Sequence, residues 1–467
     1  MSKIKFGTDG WRAIIGKDFI PENISQVIQA FADIYPNLRE AGKPIYIGYD
    51  RRGQSRESAE LAARVLVGNG IKTYLSDNFC PTPCVSWYVK ENRGAAGIMI
   101  TASHNPAEWN GIKFKESYGG AASPDYTNPI EAQIEKNSSS GKKAKLGELS
   151  SVASFNPHAE YVSAIRQWID LKIINSSKFK ILVDLMYGSG TNYFPEFLED
   201  SVTQIHTAAD TSFGGTQPEP VEANLKEAIG KMKAGGFDIC LVNDGDADRI
   251  GAIDEKGNYV TSHQIFSLLI KHLVEFKKWK GRVVKSITTT QMIDRLCRKY
   301  NLELQTTPVG FKYISPALNH PNVLMGGEES GGIGIPRHVC ERDGVLCGLL
   351  LVELMAVRER HLSELVVELQ REVGPCYYKR IDLQLNNETI ATARTNLDKN
   401  AGAVKKLCGK KVKTLDRIDG YHFLREDDSW LLMRASGTEP LFRTYAEAAS
   451  PEEMDELLAE ARKLTGV

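Results

Sequence analysis

The stretch Ala95-Ala96-Gly97-Ile98-Met99-Ile100-Thr101-Ala102-Ser103-His104-Asn105-Pro106 joins an apolar half to a polar half. Its first six residues predict a buried β-strand, and the remainder predicts a turn that proline closes. A hydroxyl group from Ser103, an imidazole from His104 and an amide therefore follow directly after a strand. Either Ser103 or His104, taken alone, is more often an ordinary turn residue than a catalytic group. The stretch gains its meaning from the loops that follow it along the chain.

The succession of an apolar run, a helical stretch and a second apolar run ending in a polar loop occurs three times. It spans residues 44–106, 179–249 and 282–332. Short continuous apolar runs that alternate with helices indicate mostly parallel sheets that are covered on both faces. Ligand-binding loops in such sheets lie beyond the carboxyl ends of the strands, which is where the three polar loops fall.

The length of 467 residues indicates several domains. A polar, Ser-rich stretch at 137–143, a hairpin pattern at 254–257 and the pair Gly374-Pro375 predict three boundaries. The last part combines strand patterns with a closing helix from Pro451 to Leu464, which predicts a smaller α+β domain. The expected domains are 1–142, 143–254 and 255–373, each α/β, and 374–467, which is α+β.

The composition is that of a soluble globular protein, with 42% hydrophobic and 25% charged residues and a formal net charge of −1. The near-neutral charge gives no reason to expect a nucleic-acid or membrane partner. Without a long apolar segment near its start, the chain is expected to be cytoplasmic. The eight cysteines include no Cys-x-x-Cys pair, so reduced, mostly buried thiols are expected instead of a zinc site.

Three aspartates alternate in the second polar loop, at Asp244, Asp246 and Asp248. Alternation in an extended loop sends the side chains to one side, where three hard oxygens can converge on a single cation. The spacing superficially matches an EF-hand, but Arg249 stands where that motif needs glycine, and the flanking residues have strand patterns. The loop therefore predicts a divalent metal site, with an acidic surface turn as the alternative.

Two further loops have the chemistry of sugar and phosphate recognition. The carboxylates and hydroxyl of Glu328-Glu329-Ser330, set among glycines, suit the vicinal hydroxyls of a sugar. The later cluster around Arg434 combines cations, hydroxyls and a glycine that lets backbone amides approach, which suits a phosphate dianion. Its members are Arg434, Ser436, Gly437, Thr438 and Arg443. A nucleophile, a hard-cation site, a sugar loop and an anion loop together indicate phosphoryl transfer on a sugar.

These four loops, together with Phe6-Gly7-Thr8-Asp9-Gly10-Trp11-Arg12, resemble the α-D-phosphohexomutase superfamily in order and approximate spacing from Gly7 to Arg443. The resemblance implies three α/β mixed-sheet domains and a smaller C-terminal α+β domain around a central cleft. It implies phosphoserine at Ser103, and Mg²⁺ held by that phosphate with Asp244, Asp246 and Asp248. The substrate-binding residues that it implies are Glu328, Ser330, Arg249, Lys312, Arg434, Ser436, Gly437, Thr438 and Arg443.

The resemblance leaves the general acid or base open among Lys113, His338, Arg12 and His104. Arginine is the weakest of these candidates, because its guanidinium is effectively always protonated. Some bacterial family members carry histidine where this chain has Phe311 and Gly332, so their assignment does not transfer.

The expected reaction is the interconversion of glucose 1-phosphate and glucose 6-phosphate through a 1,6-bisphosphate, which also serves as activator. The Glu328-Glu329-Ser330-Gly331-Gly332 loop is the reason, since phosphoglucosamine mutases tend to have Glu-Gln-Ser-Gly-His there. A phosphomannomutase or a dual-specificity enzyme is the alternative, and a glucosamine enzyme is less expected. A sugar-phosphate phosphatase and a sugar-phosphate sensor are the rivals outside this class. The expected partner is a small hexose phosphate, and the expected assembly is a monomer or homodimer.

Overall fold

The computed structural model describes residues 4–435 and 441–466. The first sheet contains β1 (Trp11–Ile14), β2 (Ile45–Tyr49), β3 (Thr73–Ser76), β4 (Ala96–Ile100), β5 (Trp109–Glu116) and β6 (Ala153–Phe155). The helices in this part of the chain are α1 (Pro21–Ile34), α2 (Ser55–Gly68), α3 (Thr82–Glu91) and α4 (Pro124–Ser140). The strand order is β1-β5-β4-β2-β3-β6, with β5 antiparallel to both of its neighbours and the remaining pairs parallel.

The second sheet has the same mixed character. It contains β7 (Ile181–Asp184), β8 (Val202–Ile205), β9 (Ile239–Asn243), β10 (Ile250–Asp254) and β11 (Tyr259–Val260). Its helices are α5 (His158–Arg166), α6 (Leu171–Ser176), α7 (Pro195–Leu198) and α8 (Lys226–Ala234). The strand order is β11-β10-β9-β7-β8, and the parallel pairs are those that β7 makes with β8 and β9. The predicted hairpin at 254–257 joins β10 to β11.

The third sheet contains β12 (Arg282–Ser286), β13 (Leu304–Thr307), β14 (Val323–Gly327) and β15 (Ile333–Gly334). The accompanying helices are α9 (Ser262–Glu275), α10 (Gln291–Tyr300), α11 (Phe311–Leu318), α12 (Gly344–Arg358) and α13 (Leu362–Val373). The order is β13-β12-β14-β15, with only the short edge strand antiparallel among the described strands. In all three sheets a buried parallel strand ends directly before one of the predicted polar loops.

The last sheet is antiparallel throughout its described strands, with the order β16-β21-β20-β19-β18-β17. These strands are β16 (Tyr377–Gln384), β17 (Lys406–Leu407), β18 (Lys410–Asp416), β19 (Tyr421–Arg425), β20 (Trp430–Ala435) and β21 (Leu441–Ala448), and the helices are α14 (Asn387–Asn400) and α15 (Pro451–Thr465). Helix α15 begins where the sequence predicts, because Ser450 caps its amino end and Pro451 occupies its first turn. The predicted architecture of three mixed α/β units followed by an α+β unit is confirmed.

The stretch 137–143, predicted as a linker, is largely helical. Helix α4 continues to Ser140 and ends only at Gly141, whose φ of +68° suits glycine. The Asn137 side chain is buried and donates a hydrogen bond to Asp33 Oδ2 at 2.8 Å. This tertiary contact outweighs the low helix propensity of the asparagine and serines. In addition, β6 pairs with β3, so the first sheet extends past the boundary expected at residue 142.

One apolar core runs through the first three sheets. It includes Met99 from β4, Leu241 from β9 and Met325 from β14, all fully buried. Helix α12 lies in this core and is buried from Gly344 to Ala356, which explains its apolar sequence on all sides. The last sheet packs on a separate core, which includes Phe423.

A small apolar cluster joins the third and last sheets. Ile287 packs against Trp430, Leu432 and Tyr445, and Glu447 accepts a hydrogen bond from the Gln291 amide at 2.8 Å. The last sheet is therefore attached by a contact much smaller than the core that joins the other three. Among the described helices, none combines the length and apolar composition required to cross a membrane.

Candidate active site

Ser103 follows β4 and is buried at the point where the first two sheets meet. Its backbone has a φ of +55°, and its amide donates a hydrogen bond to Thr101 Oγ1 at 2.8 Å. The Ser103 hydroxyl donates to Asp244 Oδ2 at 2.8 Å. The first polar loop therefore places its hydroxyl directly on the first aspartate of the second loop.

The aspartate loop follows β9, as the sequence predicts, and its three carboxylates converge. Asp244, Asp246 and Asp248 are fully buried, and one carboxylate oxygen from each lies within 4.8 Å of the others. Gly245 is required between them, because a Cβ atom there would lie 2.5 Å from the carbonyl oxygen of Ser103. The alternative of an acidic surface turn is wrong, because none of the three side chains is exposed.

The ammonium of Lys113, from β5, neutralises this loop. Its Nζ atom lies 2.8 Å from Oδ2 of each of Asp246, Asp248 and Asp9. Burial by itself lowers the pKa of an ammonium, but the three carboxylates raise the pKa of Lys113 above its ordinary value. Lys113 is therefore a fixed positive charge in this arrangement.

Arg342 and Asp9, which are not among the predicted site residues, complete the charge network. The Arg342 guanidinium lies 2.8 Å from Asp248 Oδ2, is paired with Asp9 and lies over the Phe311 ring at 5.0 Å. Although burial opposes ionisation, Arg342 and Lys113 hold the pKa of Asp9 well below its usual range. Asp9 stands in the N-terminal stretch Phe6–Arg12, but Arg342 lies 333 residues further along the chain, so no local sequence pattern indicates their pairing.

The free oxygens of the aspartate loop fit a hard divalent cation. The Oδ1 atoms of Asp246 and Asp248 are buried and make no hydrogen bond with the described residues, whereas Lys113 holds their Oδ2 atoms. Thr82 also donates to Asp246 Oδ2, at 2.5 Å. Carboxylate and hydroxyl oxygens are the ligands that Mg²⁺ prefers. The Oδ2 atoms of Asp246 and Asp248 are thus held by the protein, and their Oδ1 atoms remain available for a cation.

Arg249 connects the aspartate loop to His104. The Arg249 amide donates to Asp244 Oδ1 at 3.1 Å, and its guanidinium donates to Glu219 Oε1 at 3.0 Å. The guanidinium also lies 3.4 Å from His104 Nε2, and His104 Nδ1 lies 3.4 Å from Ser103 Oγ. Burial and the nearby arginines hold the pKa of His104 well below its ordinary value. Because a guanidinium only donates, the proton of the neutral imidazole lies on Nδ1, facing Ser103.

His338 has different surroundings from the other candidates for the acid or base. It is buried, with Nε2 at 3.3 Å from Asp343 Oδ2 and its ring centroid 5.6 Å from that of Tyr161. Asp343 caps α12 by accepting from the Leu346 amide at 2.9 Å. The side-chain contacts described for His338 are thus with the cap of α12 and with Tyr161 of α5, and none of them is with Ser103 or the aspartate loop.

The Glu328 loop follows β14 and lies against the aspartate loop. The Gly331 carbonyl accepts from the Ile250 amide at 3.0 Å, and Gly331 has a φ of +87°. Glu328 Oε1 accepts from the Gly310 amide at 3.0 Å, while its Oε2 lies 3.9 Å from Arg342. Burial raises the pKa of Glu328 to about 7, against the opposing charge of Arg342. Ser330 is half-buried in the same loop.

Two of the remaining candidates bind the neighbouring backbone or loops. Arg12 donates to Asn105 Oδ1 at 2.7 Å, so it lies beside the Ser103 loop. Lys312 donates to the Gly7 carbonyl at 3.0 Å and thereby joins α11 to the N-terminal turn. Both contacts bring the beginning of the chain to the site.

The arginines of the last sheet lie side by side. Arg434 and Arg443 are direct cross-strand neighbours on β20 and β21. Arg434 binds Asp419 through two nitrogens, at 3.2 and 3.1 Å, and Arg443 lies 3.6 Å from Asp382. Asp419 also accepts from the Val309 amide at 2.9 Å, which connects this cluster to the Glu328 loop through Gly310. Ser436, Gly437 and Thr438 lie outside the described residues.

The fold and the convergence of these loops define a phosphohexomutase, an isomerase that transfers a phosphoryl group within a hexose phosphate. Models of the phosphoglucomutase/phosphomannomutase α/β/α domains I, II and III match residues 3–141, 159–257 and 261–373. The model of the C-terminal domain matches residues 390–464. The chain therefore belongs to the phosphoglucomutase/phosphomannomutase family of the α-D-phosphohexomutase superfamily, a Mg²⁺-dependent family.

Relatives cover nearly the whole chain. A phosphoglucomutase/phosphomannomutase from Thermococcus kodakarensis is 30% identical over 465 residues, 98% of each chain. A probable phosphoglucosamine mutase from Methanosphaera stadtmanae is 31% identical over 464 residues, 97% of this chain and 96% of that protein. The crystal structure of a putative phosphomannomutase from Thermus thermophilus aligns over 100% of both chains, with a TM-score of 0.86 and 32% identity. The names of these relatives differ in the sugar.

If the aspartate loop holds Mg²⁺, the ion will stabilise the wild-type protein against unfolding, by about 2.7 kcal/mol at a concentration of 100 times Kd. We expect Asp248→Asn to weaken Mg²⁺ binding, measured by titration calorimetry, by roughly a factor of ten or more, because it removes one anionic ligand. Asp455→Asn, at an exposed ion pair with Lys379, is the control. Equal Mg²⁺ affinities in the three proteins would contradict the assignment.

Proposed function

We propose that the chain interconverts glucose 1-phosphate and glucose 6-phosphate, with phosphoserine at Ser103 as the carrier. The observation that carries this proposal is the contact of Ser103 Oγ with Asp244, beside two carboxylates that each leave a buried oxygen free. A hydroxyl held beside carboxylate oxygens that make no hydrogen bond with the described residues, with fixed cations around it, is suited to a phosphoryl group with its metal ion.

In the proposed first step, phosphoserine gives its phosphoryl group to the free hydroxyl of the bound sugar phosphate. The bond from phosphorus to Ser103 Oγ breaks as the bond to the sugar oxygen forms, and the proton of the sugar hydroxyl passes to Ser103 Oγ. The bisphosphate then turns, and its other phosphoryl group returns to Ser103 with the opposite bond changes and proton movement. Mg²⁺, when bound, neutralises charge on the moving group.

The charged residues of the cluster have separate proposed roles. Lys113 stays protonated and adds positive charge beside the aspartate loop, so it acts as an electrostatic stabiliser and not as a base. Among the candidates for the acid or base, the neutral His104 is supported by its distance of 3.4 Å from Ser103 Oγ. The contacts of His338 with Asp343 and Tyr161 support a structural role for that residue.

The remaining predicted residues bind substrate in this proposal. Glu328 and Ser330 accept and donate hydrogen bonds to sugar hydroxyls, with Arg249 and Lys312 at the edges of that space. The phosphate that is not transferred is held by the last domain, through Arg434, Ser436, Gly437, Thr438 and Arg443. In the described structure Asp419 and Asp382 neutralise the two arginines, so substrate phosphate would replace or share these partners.

The choice of a neutral sugar rests on the environment of Glu328. Glu329 is turned towards Thr288, whose hydroxyl donates to it at 2.5 Å, so Glu328 is the carboxylate of this loop nearest the charge network. Arg342 already lies 3.9 Å from Glu328, and an ammonium on the sugar would add a second cation there. A glucose or mannose hydroxyl carries no such penalty.

Mannose as substrate, alone or with glucose, is the alternative, and the amino sugar named for several relatives is disfavoured. A cytoplasmic monomer or homodimer stays a prediction.

The test of the sugar is to measure initial mutase rates on the 1-phosphates of glucose, mannose, glucosamine and N-acetylglucosamine. Each assay contains Mg²⁺ and a trace of the corresponding 1,6-bisphosphate. We expect the glucose rate to dominate, and comparable glucose and mannose rates would indicate a dual enzyme. A dominant amino-sugar rate would contradict the interpretation of the Glu328 loop. Phosphate release without isomerisation would favour the phosphatase rival instead.

Ser103→Ala should abolish turnover, by at least about three orders of magnitude, because no other described hydroxyl contacts Asp244 in the same way. Binding of glucose 1-phosphate, measured by calorimetry, should change by less than about threefold, since the sugar and phosphate loops are untouched. Ser139→Ala, in an exposed helical turn, is the matched control. Full activity in the Ser103 variant would exclude phosphoserine as the carrier.

The pKa of Glu328 predicts a pH dependence of substrate binding. The raised pKa of about 7 means that the carboxylate is ionised above pH 7 and loses acceptor capacity as the pH falls through 7. We expect the KM for glucose 1-phosphate to rise by roughly a factor of ten between about pH 8 and about pH 6. Glu328→Gln cannot titrate, so it should retain only the pH dependence of the substrate phosphate. Identical pH profiles for the two proteins would refute this role.

A further inference from the structure

Arg52 binds the loop that carries Ser103 through several hydrogen bonds to its backbone. It lies after β2, is 3% exposed, and was not among the predicted site residues. Its guanidinium donates to four backbone carbonyls of one short segment. These are the carbonyls of Ser103 at 2.5 Å, Asn105 at 2.6 Å, Pro106 at 2.8 Å and Trp109 at 3.2 Å.

Convergence of four carbonyls on one side chain needs a planar head with several fixed donors, which among the side chains only arginine provides. Asp50 orients that head, with Oδ2 at 3.4 Å from Arg52 Nε and Oδ1 accepting from the Arg52 amide at 3.0 Å. The Phe213 ring covers the guanidinium at 4.7 Å. The carbonyls, the Asp50 carboxylate and the Phe213 ring together fix the position of the Arg52 guanidinium.

Both backbone groups of Ser103 are held from the end of β2. Arg52 donates to the Ser103 carbonyl. The Ser103 amide donates to Thr101 Oγ1, and the Thr101 hydroxyl donates in turn to Asp50 at 2.5 Å. This pair of contacts secures the φ of +55°, a left-handed conformation that a serine without such support rarely adopts. Because the peptide is trans, the His104 amide points away from the guanidinium.

The same contact sets the distance between the nucleophile loop and the aspartate loop. The Ser103 carbonyl lies between the Arg52 guanidinium and Gly245, where an added Cβ would be 2.5 Å from the carbonyl oxygen and 3.5 Å from Arg52 Nη2. A shift of this carbonyl would therefore also change the approach of the Ser103 hydroxyl to Asp244.

We propose that Arg52 is a positioning residue for phosphoryl transfer: its four-carbonyl contact fixes the Ser103 backbone so that the hydroxyl meets the aspartate loop in one geometry. This inference rests on the proposed role of Ser103 as the carrier. Arg52 does not need to touch the substrate, and its effect belongs to the step in which the Ser103 oxygen–phosphorus bond forms or breaks.

The test compares wild type with Arg52→Lys and Arg52→Ala. Lysine keeps the charge, but its single nitrogen cannot serve four carbonyls. We expect kcat to fall about 100-fold in Arg52→Lys, because a misplacement of about 1 Å costs about that much, while KM for glucose 1-phosphate stays within about twofold. Arg56→Gln, at an exposed helical ion pair with Glu60, is the control.

A second measurement isolates the transfer step. Glucose 1,6-bisphosphate with labelled phosphoryl groups transfers one of them to Ser103: the Oγ–phosphorus bond forms, the sugar oxygen–phosphorus bond breaks, and the serine proton passes to the sugar oxygen. The labelling rate should fall in Arg52→Lys by the same factor as kcat. In Arg52→Ala, guanidinium chloride at millimolar concentration should raise the labelling rate at least about tenfold, and potassium chloride at the same concentration should not.

Wild-type kcat and labelling in a folded Arg52→Lys would overturn the inference, as would a rise in KM with kcat unchanged or an absence of guanidinium rescue. If the lysine variant does not fold, Arg52→Gln, with a planar amide head, takes its place and is judged by the same criteria. Failure of wild-type enzyme and Arg56→Gln to become labelled at Ser103 would instead refute the carrier role, and so distinguishes the two proposals.

Discussion

Three carboxylates meet one ammonium at Lys113, and this contact makes the rest of the site possible. Asp9, Asp246 and Asp248 are buried where water cannot screen their repulsion, and each presents Oδ2 to the same Nζ atom at 2.8 Å. Removing one partner of a buried ion pair costs about 3–5 kcal/mol, which is a large part of the stability of an ordinary domain. The pairing also distinguishes the two carboxylate oxygens of Asp246 and Asp248. Their Oδ2 atoms bind protein cations, whereas their Oδ1 atoms make no hydrogen bond with the described residues and can bind a ligand.

Charge compensation also explains why the site is assembled from distant parts of the chain. Asp9 comes from the N-terminal turn, and Asp248 lies between β9 and β10 of the second sheet. Arg342, which follows the third sheet's strand β15, contacts both. The β-bridge between Arg249 and Gly332 then brings the Glu328 loop beside the aspartates. These polar contacts span the same three sheets that share the apolar core, so the charge network is held in register by the packing beneath it.

The sequence predicts the fold well because each buried strand is a short apolar run that ends in a turn with distinctive polar residues. Ser103 and the three aspartates follow their strands as expected, and the convergence of the aspartates is observed. The sequence predicts a linker at the end of α4 (Pro124–Ser140) because the contact that supports its last turn comes from Asp33, 104 residues away from Asn137. Arg342, Asp9 and Arg52 are not predicted for a related reason. Their roles depend on contacts with residues far away in the chain, which no local sequence pattern indicates. His338 illustrates the converse, because the family resemblance that makes it a candidate for the acid or base does not reveal that its neighbours are Asp343 and Tyr161.

The separate core of the last sheet divides the molecule energetically. Three sheets share buried side chains such as Met99, Leu241 and Met325, so none of them can unfold without exposing its neighbours' interior. The last unit needs only to lose the cluster around Trp430 and a few polar links. Heat or denaturant will therefore release the C-terminal unit as its own cooperative transition, while the larger body stays folded. Substitutions in that small cluster can consequently change how firmly the last sheet is attached, without a loss of stability in the larger body that contains Ser103 and the aspartate loop.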